Sequence, residues 1–337
     1  MKVAVLSPVA WRTPPVHYGP WEQMASNLCE ELLKLGVDVT LFASADSLTA
    51  GKLDAVVEQG YETKKGQDAK VLECLHISNL MEKADGFDII HNHFDFLPLT
   101  YSKLIRTPMI TTIHGFSSEH IVPVYQKYNN NTFYVSISNA DRHPKLHYLA
   151  TVYNGLNLSN FSISESKEDN LLFFGRIHPD KGTAEAIAIA KKSNRKLIIA
   201  GIVQDENYFK KEIEPQLDDD IVFIGHAGPD KRNELMGASA ALLHPINFDE
   251  PFGLSVAEAM LCGTPVIAFN RGSMPELIED GVSGFLVDDV DSAVKAVERL
   301  SEIDHVAVAE TARERFSAET MAKNYLALYY KILEKSF

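Results

Sequence analysis

Apolar residues along the chain fall in short runs, separated by stretches in which they recur every three or four positions. Residues 3–6 form the first run, a strand of the kind that is covered on both faces. A loop rich in Pro and Gly follows at 8–20. Met24, Leu28, Leu32 and Leu35 then mark one face of a helix that Gly36 stops. Residues 37–42 read as the next strand. Strand, helix and strand make a βαβ unit, and such units build parallel sheets. Further strands are expected at 70–75, 87–91, 109–113 and 132–137.

The polar stretch 162–170, SISESKEDN, interrupts this series and reads as a linker. A second series follows, with strands expected at 171–174, 196–200, 221–224, 240–243, 265–269 and 284–287 and helical patterns between them. A chain of 337 residues exceeds what one hydrophobic core supports, and two domains of ~150 residues are expected. The reading is α/β: two doubly wound domains in tandem, residues 1–160 and 161–317. Ligands of such sheets bind outside the carboxyl ends of the strands, so two of them facing each other would leave a cleft.

Composition is ordinary for a globular protein, at 45% hydrophobic and 23% charged. Charge changes the picture more. The formal net charge is −14. Up to Gly155, 13 Lys and Arg stand against 16 Asp and Glu; the remainder holds 19 against 30. Such a surface repels nucleic acid and anionic lipid, so no nucleic-acid partner is expected. No apolar run approaches the ~20 residues that span a bilayer, and no transmembrane segment is expected. Cys29, Cys74 and Cys262 form no C-x-x-C, and Cys29 and Cys262 lie in apolar helical patterns. With a first strand that starts directly, lacking a signal peptide's layout, this points to the cytoplasm.

The most informative chemistry lies at 249–263, DEPFGLSVAEAMLCG. Glu250 sits in a loop, Pro251, Phe252 and Gly253 shape it, and a helix from about Ser255 to Leu261 carries Glu258. The first turn of that helix offers free N–H groups to a phosphate. Ser255 and Glu258 also fit a capping box, and Glu250 also reads as a solvated loop acid. A retaining hydrolase holds its two carboxyls about 5 Å apart. Eight residues of straight helix span about 12 Å, so two separate contacts along one elongated ligand is the easier geometry.

At 174–182, FGRIHPDKG, a strand ends and Arg176 and Lys181 follow. Cations at that end of a strand suit an anion, and a pair of surface charges on a turn fits equally. Gly19, in Tyr18-Gly19-Pro20-Trp21-Glu22, stands at the mouth of the first helix, where a ligand can approach backbone closely. No G-x-G-x-x-G occurs, which weakens a dehydrogenase reading. His114 lies just past the strand at 109–113, facing a sugar hydroxyl or satisfied within the fold. His91 and His93 form an H-x-H that lacks further ligands at helpful spacing, and packing or cleft lining is favoured over a metal.

Taken together, the segment E-P-F-G-L-x-x-x-E-A-M-x-x-G-T-P-V-I-A resembles the signature of glycosyltransferase family 4, whose fold is GT-B. The other segments follow in the family's order over nearly the whole chain. The resemblance implies two Rossmann-like domains facing across a cleft, with a last helix at about 318–337 crossing back to the N-terminal one. Met321, Tyr325, Leu328 and Ile332 would form that helix's buried face. It implies transfer of a hexose-type sugar from a UDP- or GDP-sugar, with retention and without metal or further cofactor. The acceptor would be a glycan, a small molecule or a lipid-linked hydroxyl. Arg176 and Lys181 would neutralise the diphosphate, Glu250 would hold sugar hydroxyls and Glu258 the ribose. Backbone at Phe252, Gly253 and Leu254 would contact sugar and phosphate, His114 would line the sugar site, and Gly19 would let the N-terminal loop close on the phosphates. Pro20 stands where many relatives carry a second glycine, and it removes a backbone donor. A sugar-nucleotide epimerase of the same fold, or a nucleotide-sugar-binding protein without transfer, are the alternatives.

Overall fold

The structure, a computed structural model, describes residues 1–335 apart from Lys65, Ser117 and Glu165. Ser336 and Phe337, at the end of the expected last helix, and Glu165, inside the expected linker, lie outside the described residues.

The chain runs β1 (Lys2–Leu6), α1 (Pro20–Lys34), β2 (Asp38–Phe42), β3 (Lys52–Asp54), α2 (Ala69–Met81), β4 (Ile89–Asn92), β5 (Met109–Ile113), α3 (Val122–Tyr128), β6 (Phe133–Ser136) and β7 (Tyr148–Thr151). It continues with β8 (Leu171–Phe174), α4 (Thr183–Lys192), β9 (Leu197–Ala200), α5 (Glu206–Tyr208), β10 (Ile221–Gly225), α6 (Pro229–Ala238), β11 (Ala241–His244) and α7 (Leu254–Leu261). The last elements are β12 (Val266–Phe269), α8 (Met274–Leu277), β13 (Gly284–Val287), α9 (Val290–Glu298), α10 (His305–Phe316) and α11 (Ala318–Lys335). They form two compact units: Met1–Leu156 with Ala318–Phe337, and Asn157–Ser317.

In the first unit β3-β2-β1-β4-β5-β6-β7 make one sheet, and its strand pairs are parallel. Alternation along the strands sorts side chains to two cores. Val3 and Val5 of β1 join the cluster under α1 and α11, while Ala4 and Leu6 join the cluster of Leu80, Tyr125 and Tyr134 on the other face. Helix α11 is covered along Met321, Ala322, Tyr325, Tyr329 and Ile332. Leu328, expected on that face, is only partly buried, and Tyr329 takes the central place.

The second unit carries β10-β9-β8-β11-β12-β13, again with parallel pairs. Both sheets are doubly wound, as expected. In each, the strand order reverses beside the first strand: at β1 and β4, and at β8 and β11. Helices on either side of such a point leave a crevice at the carboxyl ends.

One expectation needs correction. Residues 70–75 are not a strand but the start of α2, whose N-cap Asp68 accepts from Lys70 N at 2.9 Å. A short apolar run looks the same in a strand and on a helix face; here Ile77, Leu80 and Met81 are covered while Val71 and Leu75 face solvent. The second sheet edge, β7, and the short edge strand β3 went unforeseen, because neither carries a buried apolar run. Within the expected linker, Lys167 Nζ donates to Thr264 Oγ1 at 2.6 Å and Glu168 N to Ala238 O at 2.6 Å.

Ile332→Ala removes a fully covered side chain from the α11 face and is expected to cost about 2–5 kcal/mol. Tyr330→Ala, on the exposed face, is expected to change stability by less than about 0.5 kcal/mol. Urea unfolding of the two variants checks this pair; equal midpoints would mean that α11 does not complete the core.

Candidate functional site

In the second unit the switch point gathers most of the chemistry. Gly175 turns the chain after β8, and the backbone of Gly201 presses against it: a Cβ there would stand 1.7 Å from Gly175 O. Arg176 follows, and its Nη1 donates to Gln204 Oε1 on the loop after β9. Lys181 ends a short turn in which Asp180 N donates to the His178 side chain. Gly182, at φ 72, then lies on the backbone of Pro245, where a Cβ would meet the carbonyl at 1.9 Å. That close approach delivers Lys181 to the loop after β11.

There Lys181 Nζ forms a hydrogen-bonded ion pair with Glu250 Oε2. The ammonium also stands 4.6 Å from the centre of the Phe248 ring, a cation–π distance. His244, the last residue of β11, places Nε2 3.7 Å from the same carboxylate oxygen, too long for a hydrogen bond. Burial opposes the charge on Glu250, but His244 and Lys181 outweigh it, and its carboxyl falls to about 2. Burial lowers His244 in turn, against the opposing pull of the Glu250 carboxylate.

The loop carrying Glu250 is braced from behind. Gly272, at φ 52, packs so closely that a Cβ would stand 2.4 Å from Glu250 N. Ser273 N donates to Glu250 O at 3.0 Å and Ser273 Oγ to Phe252 O at 2.8 Å. Phe252 is buried edge-on against Phe316, with ring centres 5.8 Å apart. Gly253, at φ 89, is the N-cap of α7, and no side chain caps that end. The capping box that Ser255 and Glu258 also fit in sequence is absent, because α7 starts at Leu254 and Ser255 lies inside the helix. Glu258, 8% exposed, instead pairs with Arg232 Nη1 at 2.8 Å. Burial raises its carboxyl above the usual range and Arg232 partly offsets that.

The first unit holds the remaining expected residues. Gly19, at φ 148, is the N-cap of α1, and Pro20 is its first residue, a position where a missing N–H costs no helical bond. His114 follows β5; its Nε2 lies 3.0 Å from His93 Nδ1, and its ring stacks on Trp21 with centres 5.6 Å apart. His91 and His93 are buried packing residues, as expected. At the switch point between β1 and β4 a cavity of about 450 Å³ is lined by Trp11, Tyr18, Trp21, Glu22, Glu73 and Asp95 among others. Burial pushes Glu22 up to about 7 and Asp95 up to about 6, against hydrogen bonds from Trp11 N and the Tyr125 hydroxyl. Asp95 holds φ 89, a left-handed backbone unusual outside glycine.

A family model described as Glycosyl transferases group 1 matches residues 157–320, and one described as Glycosyltransferase Family 4 matches residues 22–143. The chain is a GT-B glycosyltransferase of the family 4 type. It is similar to the GDP-mannose:cellobiosyl-diphosphopolyprenol alpha-mannosyltransferase of Komagataeibacter xylinus, 27% identical over 291 residues, covering 74% of this chain and 73% of the relative. A D-inositol 3-phosphate glycosyltransferase of Mycolicibacterium smegmatis is 30% identical over 177 residues, 47% of this chain and 39% of the relative. Among solved structures, Anabaena HepE in complex with UDP and glucose superposes with a TM-score of 0.73 at 20% identity, over 98% of this chain and all of that one. Sucrose-phosphate synthase from Thermosynechococcus elongatus does so with a TM-score of 0.77 at 17% identity, over 99% of each.

Within this glycosyltransferase, Lys181 and Glu250 are brought into contact. Arg176 and Glu258 flank them on neighbouring loops and helices with partners of their own, Gln204 and Arg232. Those partners, and His244, escaped sequence reading. His244 had a signal: it ends a strand read one residue short. Arg232 and Gln204 had none. Among the described residues no group of three or more metal-ligating side chains occurs, and no helix is long and apolar enough to cross a membrane.

A glutamate whose carboxyl is depressed from 4.5 to about 2 stabilises the fold above the higher value, and that contribution is lost as pH falls through the lower one. Thermal melts from neutral pH down to about pH 2 are expected to show this component in the wild type and to lack it in Glu250→Gln. At neutral pH the same variant strands a buried ammonium and is expected to lose about 3 kcal/mol.

Proposed function

We propose that this glycosyltransferase moves a hexose-type sugar from a nucleotide diphosphate sugar to an acceptor hydroxyl, with retention of anomeric configuration and without a metal ion. The observation that carries the reading is the Lys181–Glu250 pair at the β8/β11 switch point, beside the uncapped N-terminus of α7. A diphosphate placed there meets a fixed ammonium and free helix N–H groups, and Arg176 adds a second cation. As the glycosidic bond breaks, negative charge grows on the leaving nucleotide, and cations already in place stabilise it without reorganising. This assigns to Arg176 and Lys181 the neutralisation that a metal would otherwise supply.

In this scheme Glu250, ionised and held by Lys181, accepts hydrogen bonds from hydroxyls of the sugar. Glu258 accepts from the ribose, exchanging part of its contact with Arg232. Backbone at Phe252, Gly253 and Leu254 contacts sugar and phosphate, His114 faces the sugar, and Gly19 admits the phosphates close to the start of α1. Both UDP- and GDP-sugars stay in the proposal, because one relative is named for GDP-mannose and the Anabaena structure holds UDP with glucose. The acceptor group enters the cavity beside Trp21, whose aromatic walls and carboxylates suit a polyhydroxylated unit, whether from a glycan, a small molecule or a lipid-linked sugar. The cysteines are unpaired, which fits a cytoplasmic protein.

A thermal-shift screen with UDP-, GDP- and ADP-sugars is expected to raise the melting point with one donor class only. With that donor, Lys181→Ala and Arg176→Ala are each expected to lower kcat about 10²–10³-fold while far-ultraviolet circular dichroism stays native. Near-normal turnover of either variant removes that residue from the mechanism. A sugar nucleotide epimerised in the absence of acceptor would instead support the epimerase alternative.

A further inference from the structure

His114 stands at the end of a buried column of side chains. His91 Nδ1 lies 2.6 Å from the Tyr329 hydroxyl of α11, and its Nε2 lies 2.8 Å from Thr112 Oγ1. Thr112 Oγ1 in turn lies 2.6 Å from the Tyr325 hydroxyl, also on α11. The His91 ring packs on His93 with centres 4.2 Å apart, and His93 Nδ1 meets His114 Nε2 at 3.0 Å. Trp21 stacks on the His114 ring. Burial holds all three imidazoles well below their ordinary value, His114 at about 3, so each is neutral and carries one N–H.

Two neutral imidazoles sharing one hydrogen bond have two arrangements. If His114 donates from Nε2, His93 must carry its own proton on Nε2. That atom is buried and has no partner, and an orphaned buried N–H is rarer than a spare lone pair. If His93 donates from Nδ1, its Nε2 keeps only a lone pair, and the proton of His114 is left on Nδ1.

We propose that His93 is a positioning residue, which donates to His114 Nε2 and so fixes His114 as an Nδ1–H donor toward an oxygen of the transferred sugar. The part that concerns the sugar rests on the function proposed above; the tautomer does not. Along β4 and β5 the tyrosines of α11 hold His91, His91 seats His93, and His93 sets which end of His114 carries hydrogen.

Long-range ¹H–¹⁵N correlation spectra of the full chain labelled at histidine read the tautomer at neutral pH without donor, with His114→Gln identifying the signal. His114 is expected to be protonated at Nδ1. In His93→Asn, whose amide can still donate to Nε2, the tautomer is expected to persist and kcat to stay within about threefold. In His93→Leu the tautomers are expected to mix and kcat to fall about tenfold, the loss of one hydrogen bond, with the KM for donor little changed. A His114 protonated at Nε2 in the unsubstituted chain overturns the proposal. So does a His93→Leu variant that keeps both tautomer and kcat. Should His93→Leu fail to fold, the unsubstituted chain and His93→Asn still decide. Absence of any sugar transfer by the unsubstituted chain overturns the activity reading instead, and leaves the tautomer test intact.

Discussion

A parallel sheet has two apolar faces, and each must be covered before any loop at its rim can hold a fixed shape. In the first unit one face is sealed by α1 together with α11, an element that arrives from the far end of the sequence. Its tyrosines do more than fill volume. Tyr325 and Tyr329 satisfy His91 and Thr112, which would otherwise leave polar atoms stranded under the helix. Core closure and the seating of His91 therefore depend on the same helix. The same covering of both faces lets β1 and β4, and β8 and β11, end beside one another with their loops turned apart, and both candidate binding regions sit at those ends.

The second unit shows what it costs to keep charge at such a point. Lys181, Glu250, Arg232 and Glu258 are all largely withdrawn from water. Taking charges out of water is expensive, and a buried pair seldom repays it in stability. Glu250 is held ionised by two neighbours, whereas burial tips Glu258 toward protonation despite Arg232. Two glutamates eight residues apart thus differ in charge preference because one faces an ammonium and a histidine and the other a single guanidinium. Groups so arranged are ready to exchange internal partners for those of a ligand without a large change in solvation.

Close backbone approaches set the geometry of that region. Gly182 on Pro245, Gly201 on Gly175 and Gly272 on Glu250 leave no room for a Cβ. Gly182 brings the loop after β8 against the loop after β11, Gly201 seats the loop after β9 on Gly175, and Gly272 holds the Glu250 loop from its rear. A side chain at Gly182 or Gly272 would push apart the backbone that places Lys181 and Glu250.

Much of this was legible in the linear chain. Apolar runs of four to six residues placed most strands within a residue or so, and the Pro-Phe-Gly loop between Glu250 and Glu258 singled out the donor-side segment. Periodicity failed at 70–75, where helix and strand look alike over six positions, and at the thin edge strands. The partners of each charged residue were not legible. Arg232 lies on a helix 26 residues before Glu258, and His93 lies 21 before His114, and nothing local marks either pairing. By itself the sequence determined the α/β class, the doubling of the fold and the residue types available for chemistry, because those follow from local hydrophobic period and short motifs. Only the tertiary structure decided which charged residues are paired, which imidazoles are buried against one another and which helix seals the first sheet, because desolvation and hydrogen bonding depend on groups that the fold brings together from distant parts of the chain.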